Sequence, residues 1–244
     1  MSINRLAIIP ARSGSIRIKD KNIKLFFNKP IISYPINALK KSKLFKKIHV
    51  STDSIRIKKI IDKIGLKTDF LRPKKLASDS VIINDVLKFV VKNYEKKKVI
   101  FDEVWLIYSC TPFITSNQLV SASKEFRKTN MNYPLMSFRE YDAPIEWAFK
   151  KDKNYFIPLN KKKLLVDSKK IEKKFYESAT FVIYKKGQIF KKKIFSKYYG
   201  HILDRDNALD IDYIDDWKKA ELLFKIKEIN KKNEKKKKKF FFKI

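Results

Sequence analysis

The chain has 244 residues, of which 44% are hydrophobic and 14% aromatic, enough to bury a sizeable core and incompatible with wholesale disorder. Lysine and arginine number 58 against 26 acidic residues, a formal net charge of +32. Only 8 of the 58 are arginine. A lysine excess with few glycines reads as compositional bias rather than a surface built to read nucleic acid, where arginine's planar fork is preferred.

A single cysteine, Cys110, excludes an internal disulfide or a cysteine-rich metal site. Two histidines, His49 and His201, argue against histidine-bound zinc. No apolar run approaches the roughly 18 residues of a bilayer span, and the stretch from Leu6 to Ile9 ends at Pro10. A soluble, cytoplasmic protein without a membrane span is expected.

Leu6 to Pro10 is a continuous apolar run, the pattern of a strand covered on both faces of a parallel sheet. A polar loop from Ala11 to Asn22 follows, then a helix over residues 31 to 43. Lys47 to Asp53 reads as a second strand running into a turn, and Ile55 to Ile64 as a helix stopped by Gly65. Val81 to Tyr94 repeats the helical period, Glu103 to Tyr108 is a third strand, Ser116 to Phe126 a helix, and Tyr133 to Phe138 another strand. This rhythm predicts an α/β fold with a doubly wound, mostly parallel sheet. It breaks near Asp142. Residues 143 to 197 read as a small antiparallel insertion with short apolar pieces, including Phe181 to Tyr184, between lysine runs. Asn207 to Asp212 reads as a short strand and Tyr213 to Ile226 as the last helix. The end of the chain, 227 to 244, is expected to be a flexible lysine-rich tail or a fraying helix.

Two features carry chemistry. The first is the loop after strand one, where Arg12, Ser13, Gly14, Ser15, Arg17, Lys21 and Asn22 lie at the carboxyl end of a strand, the place where such sheets bind ligands. Small residues there free backbone N–H groups for an anion, and the basic side chains add charge. The Gly-Lys-Ser/Thr ending of a Walker loop is absent. An ordinary basic surface loop is the plainer alternative. The second is Asp210-Ile211-Asp212. In an extended chain, residues i and i+2 point to one side. Two hard carboxylates without histidine or cysteine favour Mg²⁺, the alternative being a solvated pair at a strand end. Residues 198 to 224 hold seven acids against three bases, an acidic island in a basic chain. Phe70 to Pro73, with Arg72, then Ser78-Asp79, and the segment Tyr108 to Phe113 lie on further carboxyl-end loops. A basic cradle facing an acidic pair fits nucleotidyl transfer, with cations on the phosphates and a metal on the carboxylates.

Ile8 to Ser15 with Lys21-Asn22-Ile23 closely resembles the signature loop of the acylneuraminate cytidylyltransferase family. The resemblance continues in order through Lys29-Pro30-Ile31, Val50 to Asp53, Phe70 to Pro73, Thr111-Pro112-Phe113 and Asp210 to Asp212 with Asp215-Asp216-Trp217. Ile107 to Phe113 and Pro144 to Trp147 look most like the branch acting on pseudaminic acid. The resemblance implies a sheet of the nucleotide-diphospho-sugar transferase type, with 1 to 226 as the catalytic domain and 143 to 197 as its dimerisation insertion. It implies transfer of CMP from CTP to a nonulosonic acid with Mg²⁺, in a homodimer with no specific nucleic acid partner. Arg12, Ser13, Gly14, Ser15, Arg17, Lys21, Asn22, Arg72, Ser78 and Asp79 are then the nucleotide-binding residues, and Tyr108 and Thr111 line the acceptor pocket. Asp210 and Asp212 hold the metal, with Arg12, Lys21 and Asp212 as the catalytic set. This chain departs from the family at Ile16, where lysine is usual, at Lys19, at Ile82, and at Ser178 and Thr180. A nucleic-acid or membrane-surface binder on the same fold is the alternative from another class.

Overall fold

The computed structural model describes residues 3–191 and 195–241, with side chains up to Glu234. Residues 1–2 of the expected domain, 192–194 of the expected insertion and 242–244 of the expected tail lie outside the described residues. The chain begins with β1 (Arg5–Pro10). A tight hairpin follows, β2 (Leu25–Phe26) and β3 (Lys29–Pro30), whose turn residues Phe27 and Asn28 both have positive φ, 47° and 61°, as a primed hairpin turn requires. Next come α1 (Ser33–Ser42), β4 (Lys47–Ser51), α2 (Ile55–Lys63), α3 (Ile83–Lys96), β5 (Glu103–Ile107), α4 (Ser116–Lys128) and β6 (Leu135–Glu140). The second half contains a hairpin of β7 (Phe149–Asp152) and β8 (Tyr155–Pro158), then β9 (Phe175–Lys185), β10 (Tyr199–Ile202) and α5 (Ile214–Phe241).

Six strands form one sheet in the order β10-β6-β9-β5-β1-β4. All neighbours run parallel except β9, which is antiparallel to both β5 and β6. The continuous apolar runs of β1 and β5 have their reason here. Ala7, Ile9, Trp105 and Ile107 face the layer made by α1, α2 and α4, with Ile36, Leu39, Ile61, Leu119 and Phe126 packed on them. Leu6, Ile8, Val104 and Leu106 face α3, against Leu87, Val90, Val91 and Tyr94. Both faces are covered, so neither can alternate with polar residues. A third, smaller cluster sits at the carboxyl edge of the sheet, joining Ile18 and Phe26 to Cys110, Ile211 and Trp217. Phe26 is its centre, 5.6 Å edge-to-face from Trp217 and 5.3 Å from Phe224. This cluster docks both the first loop and α5 beside the site.

The doubly wound, mostly parallel sheet is borne out, with three local differences. Phe181 to Tyr184 belongs to β9 in the middle of the main sheet, where Phe181, Val182 and Ile183 are buried, so that of the expected insertion the β7–β8 hairpin is the separate antiparallel piece among the described residues. Asn207 to Asp212 is not a strand. The sheet edge beside β6 is already taken by β10, and this segment instead crosses between two cores, anchored by Ala208 in one and Ile211 in the other. The last helix does not stop at Ile226 but continues to Phe241, through a run of lysines with good helix propensity.

His49 on β4 is buried, its Nδ1 3.1 Å from the Tyr94 hydroxyl and its ring 4.4 Å from Phe70. Tyr94 donates in turn to Asp69, which pairs with Lys47 at 2.6 Å. Burial lowers the imidazole pKa to about 4. The unfolded chain therefore takes up this proton first as pH falls, and stability is lost between the ordinary histidine value and about 4. The loss is roughly 3 kcal/mol. Urea unfolding of the wild type and His49→Gln between pH 7 and 4 tests this: the wild type should lose more stability by that amount, and parallel profiles would contradict it.

Candidate active site

Because β1, β4 and β5 run parallel, the loops that leave their carboxyl ends open on one edge of the sheet. The loop after β1 ends in a short 3-10 turn, Lys21–Ile23, and is held by three ties. Ile18 is buried in the edge cluster. Ser13 donates from its N–H (3.0 Å) and its hydroxyl (2.6 Å) to the carboxylate of Asp53, just beyond β4. Asn22 donates from Nδ2 to the Arg12 carbonyl (2.8 Å) and accepts from the Ser109 hydroxyl (2.6 Å), just beyond β5. The loop is thus bound to the strands on either side of its own.

A cleft of about 470 Å³ opens above these ties. It is lined by Arg12, Ser15, Arg17, Lys21, Asn22, Arg72, Ser78, Asp79 and Asp212, with Leu76, Val81, Ile83 and Val86 as an apolar wall. Nine of the sequence-derived residues, taken from positions as far apart as 12 and 212, meet here. Arg12 pairs with Asp79 and lies 3.4 Å from the Ala77 carbonyl. Arg17 donates to Asp212 Oδ2 at 2.7 Å, with its guanidinium 5.0 Å above the Tyr213 ring. Lys21 donates to the Ile211 carbonyl at 2.7 Å and to Asp212 Oδ1 at 3.0 Å. Arg72 is almost wholly buried (side chain 3% exposed), 3.8 Å from Asp53. Its Nε and Nη2 have no hydrogen-bond partner among the described residues. A buried guanidinium with spare donors beside a cleft is matched by an acceptor-rich ligand.

The acidic pair is electrostatically uneven. Partial burial, then the charge of Asp212, raises the Asp210 carboxyl above its ordinary range. Burial acts the same way on Asp212, but hydrogen bonds and charge from Lys21 and then Arg17 outweigh it and hold that carboxyl low. Ile211 is buried between them, so the two carboxylates share a side although the segment is not a strand. Their oxygens could hold a hard cation that keeps water and takes phosphate oxygens. Among the described residues no group of three or more histidines, cysteines and carboxylates is assembled for a metal.

Five other expected residues, Ser13, Gly14, Tyr108, Thr111 and Asp210, do not line the cleft. Ser13 is spent on Asp53, and Gly14 has open space around it. Thr111 is buried and donates to the Tyr108 carbonyl at 2.8 Å, fixing the turn after β5. The Tyr108 hydroxyl donates to Glu177 at 2.9 Å. Ile16, in the lysine's place, stands 81% exposed on the rim. Cys110 is buried and its thiol is pushed up to about 11 by that burial, so it is no nucleophile. Asp53, Ser109, Tyr213 and Glu177 were not identified from sequence as parts of the site. For Asp53 the signal is its position at the end of a strand; Glu177 adjoins Ser178, where the chain departs from the family pattern, but the sequence assigns Glu177 itself no role.

The sequence profile of the family described as cytidylyltransferase matches residues 6–243. The chain belongs to the cytidylyltransferase family. It is 29% identical to a pseudaminic acid cytidylyltransferase of Campylobacter jejuni, over 92% of this chain and 97% of that one. It is also 29% identical to an N-acylneuraminate cytidylyltransferase of Escherichia coli, over 85% of this chain and 49% of that one. The fold is that of a CMP:2-keto-3-deoxy-manno-octonic acid synthetase solved with CTP, at TM-score 0.69 and 15% identity, covering 92% of this chain and 99% of the other. This cytidylyltransferase is therefore a nucleotidyltransferase enzyme, and its mostly parallel sheet is the family's. No helix among its described residues is long and apolar enough to cross a membrane.

In the cytidylyltransferase cleft, Asp53 joins the loop to Arg72. Burial opposes its charge, but the two hydrogen bonds from Ser13, followed by Arg72, keep its carboxyl below the ordinary range. Asp53→Ala leaves the Arg72 guanidinium buried without a counter-charge and should lower the unfolding free energy by about 3 kcal/mol. Denaturant unfolding checks this; a loss below about 1 kcal/mol would mean that Arg72 finds another partner.

Proposed function

We propose that the enzyme transfers CMP from CTP to the anomeric hydroxyl of a nonulosonic acid, with pseudaminic acid as the acceptor of choice, and releases diphosphate. The observation that carries this reading is the convergence of Arg12, Arg17, Lys21 and Arg72 on one cleft across from Asp212. Four cations in a volume of nucleotide size, with an apolar wall for a base, match a polyanionic nucleotide. The similarity to cytidylyltransferases for pseudaminic and N-acylneuraminic acids supports the acceptor class. The N-acylneuraminate relative and one named CMP-N,N'-diacetyllegionaminic acid synthase, 36% identical over 109 residues, keep N-acetylneuraminic and legionaminic acid as alternative acceptors.

In this reading Arg12, Arg17 and Lys21 hold the phosphates, and Ser15 and Asn22 shape the cradle. Arg72 uses its spare donors on the nucleotide beside Ser78 and Asp79, while Tyr108 and Thr111 border the acceptor. Asp210 and Asp212 would hold Mg²⁺, which when bound neutralises the α-phosphate and its leaving group. The acceptor hydroxyl oxygen bonds to the α-phosphorus as the bond to the diphosphate breaks, and a carboxylate oxygen of the aspartate pair that is left free accepts the hydroxyl proton. Binding places Arg12 and Arg17 on phosphate oxygens, which requires each to leave its carboxylate partner.

Exposed apolar side chains on and around the β7–β8 hairpin, among them Tyr155, Phe156, Leu159 and Leu165, support a homodimer built on residues 143–197, with residues 1–226 as the catalytic domain and the lysine-rich end as accessory. A cytoplasmic setting with no specific nucleic acid partner fits small-molecule substrates of this kind. Diphosphate release is measured with CTP, Mg²⁺ and a panel of nonulosonic acids. Release with at least one acceptor, reduced by about a thousandfold or more in Asp212→Asn, is expected. No release with any acceptor would overturn the reading. Light scattering should give twice the chain mass, reverting to one chain in Phe156→Lys.

A further inference from the structure

We infer that Glu177 is a specificity-determining residue for the acceptor, taking a hydrogen bond from an N–H or O–H group on the part of the sugar remote from the reacting hydroxyl; this rests on the reading of the acceptor given above. β9 is antiparallel to β5, so its amino-terminal half lies at the same sheet edge as the carboxyl end of β5. The pairing continues one step past β5, with the Tyr108 N–H donating to the Thr180 carbonyl at 3.1 Å. There β9 is kinked. Ala179 adopts φ of 48°, strained for a residue with a Cβ, and the register with β6 shifts between Met136 and Phe138.

Buried hydroxyls hold the kink: Ser178 donates to Ser137 at 2.8 Å and lies 3.1 Å from Thr180, while the Phe181 N–H donates to Ser137 at 3.0 Å. Such strain persists only where the surroundings fix it, and here it sets the exit of the segment carrying Glu177. Glu177 is exposed and accepts from the Tyr108 hydroxyl at 2.9 Å. The lysines just before it, Lys173 and Lys174, are paired with Glu140 and Glu172 instead. A carboxylate in this strongly basic chain, clamped by a tyrosine and with a second oxygen to spare, is an acceptor of hydrogen bonds aimed along the sheet edge.

Its place relative to the cleft decides what it meets. The turn after Tyr108 is tied to the nucleotide loop through Ser109 and Asn22, and Asp210 contributes to the environment of Tyr108. The site is therefore polar in one direction, with Arg12, Arg17 and Lys21 at one end, Glu177 at the other, and Asp210, which feels Lys21 and is felt by Tyr108, between them. An anionic sugar enters with its carboxylate toward the basic end. Its far substituents, hydroxyl or acylamino, then face Glu177. A site that offers only an acceptor there favours a donor group and disfavours one lacking it.

The test uses the full-length protein, with acceptor binding followed by calorimetry beside diphosphate release, for two nonulosonic acids that differ by an acylamino group against a hydrogen at one remote position. Glu177→Gln puts an N–H donor where the carboxylate accepted. It should weaken binding and raise the KM of the acylamino sugar about tenfold, lower the preference between the two sugars, and leave the KM for CTP unmoved. Tyr108→Phe, which frees the carboxylate, should give part of the same loss, and the double variant less than the sum. Unchanged acceptor binding in Glu177→Gln, or an equal loss for both sugars, would overturn the assignment. Acceptor binding that responds to Glu177 without any diphosphate release would instead refute the transfer reading and keep this one.

Discussion

Asp212 receives Arg17 on one oxygen at 2.7 Å and Lys21 on the other at 3.0 Å, and the rest of the site depends on that double grip. It joins the loop after the first strand to the segment that leads into the last helix, almost two hundred residues later in the chain. Without it the basic loop would be a set of mutually repelling cations, and the acidic pair would stand uncompensated. The same logic recurs around the cleft, with Arg12 on Asp79 and Arg72 beside Asp53. Each cation that could serve a phosphate is kept by a carboxylate of the protein. Binding a polyanion is then an exchange of partners, which costs less than assembling charge from solvent-separated side chains.

The grip is possible because the edge cluster fixes both sides of it. Phe26, Ile18, Ile211 and Trp217 form one small apolar core, and two of these are the immediate neighbours of site residues. Ile211 lies between the two aspartates and Ile18 follows Arg17. Burying Ile211 turns Asp210 and Asp212 outward together, with no strand needed. Packing, rather than backbone pairing, sets the geometry of the acidic pair.

Much of this was legible in the residue order. Apolar runs bounded by polar turns gave the sheet, because strands covered on both faces must be apolar throughout. The loop and the Asp-Ile-Asp pattern stand out because a small, basic segment follows a strand at its carboxyl end, where such sheets bind ligands, and because residues 198 to 224 are an acidic stretch in a basic chain. What stayed hidden was long-range. Nothing local in Phe181 to Tyr184 says that the strand enters the centre of the sheet between β5 and β6, so Glu177 and its contact with Tyr108 could not be placed. Asp53 ended a visible strand, but only the fold shows that it supports both Ser13 and Arg72. The charge of +32 misdirects most of all. Sixteen lysines fall in residues 150–197, none of the described ones lining the cleft, and the cations that do line it are a few residues set against named carboxylates.

On the proposed reading, Asp212 is already neutralised by the protein's own cations and would yield to a metal only when a nucleotide takes those cations. Manganese binding, followed by electron paramagnetic resonance with and without CTP, tests this most directly. The account predicts weak binding of the metal alone and binding at least tenfold tighter in the presence of CTP, a coupling of about 1.4 kcal/mol or more. Equal affinity in the two conditions would contradict it.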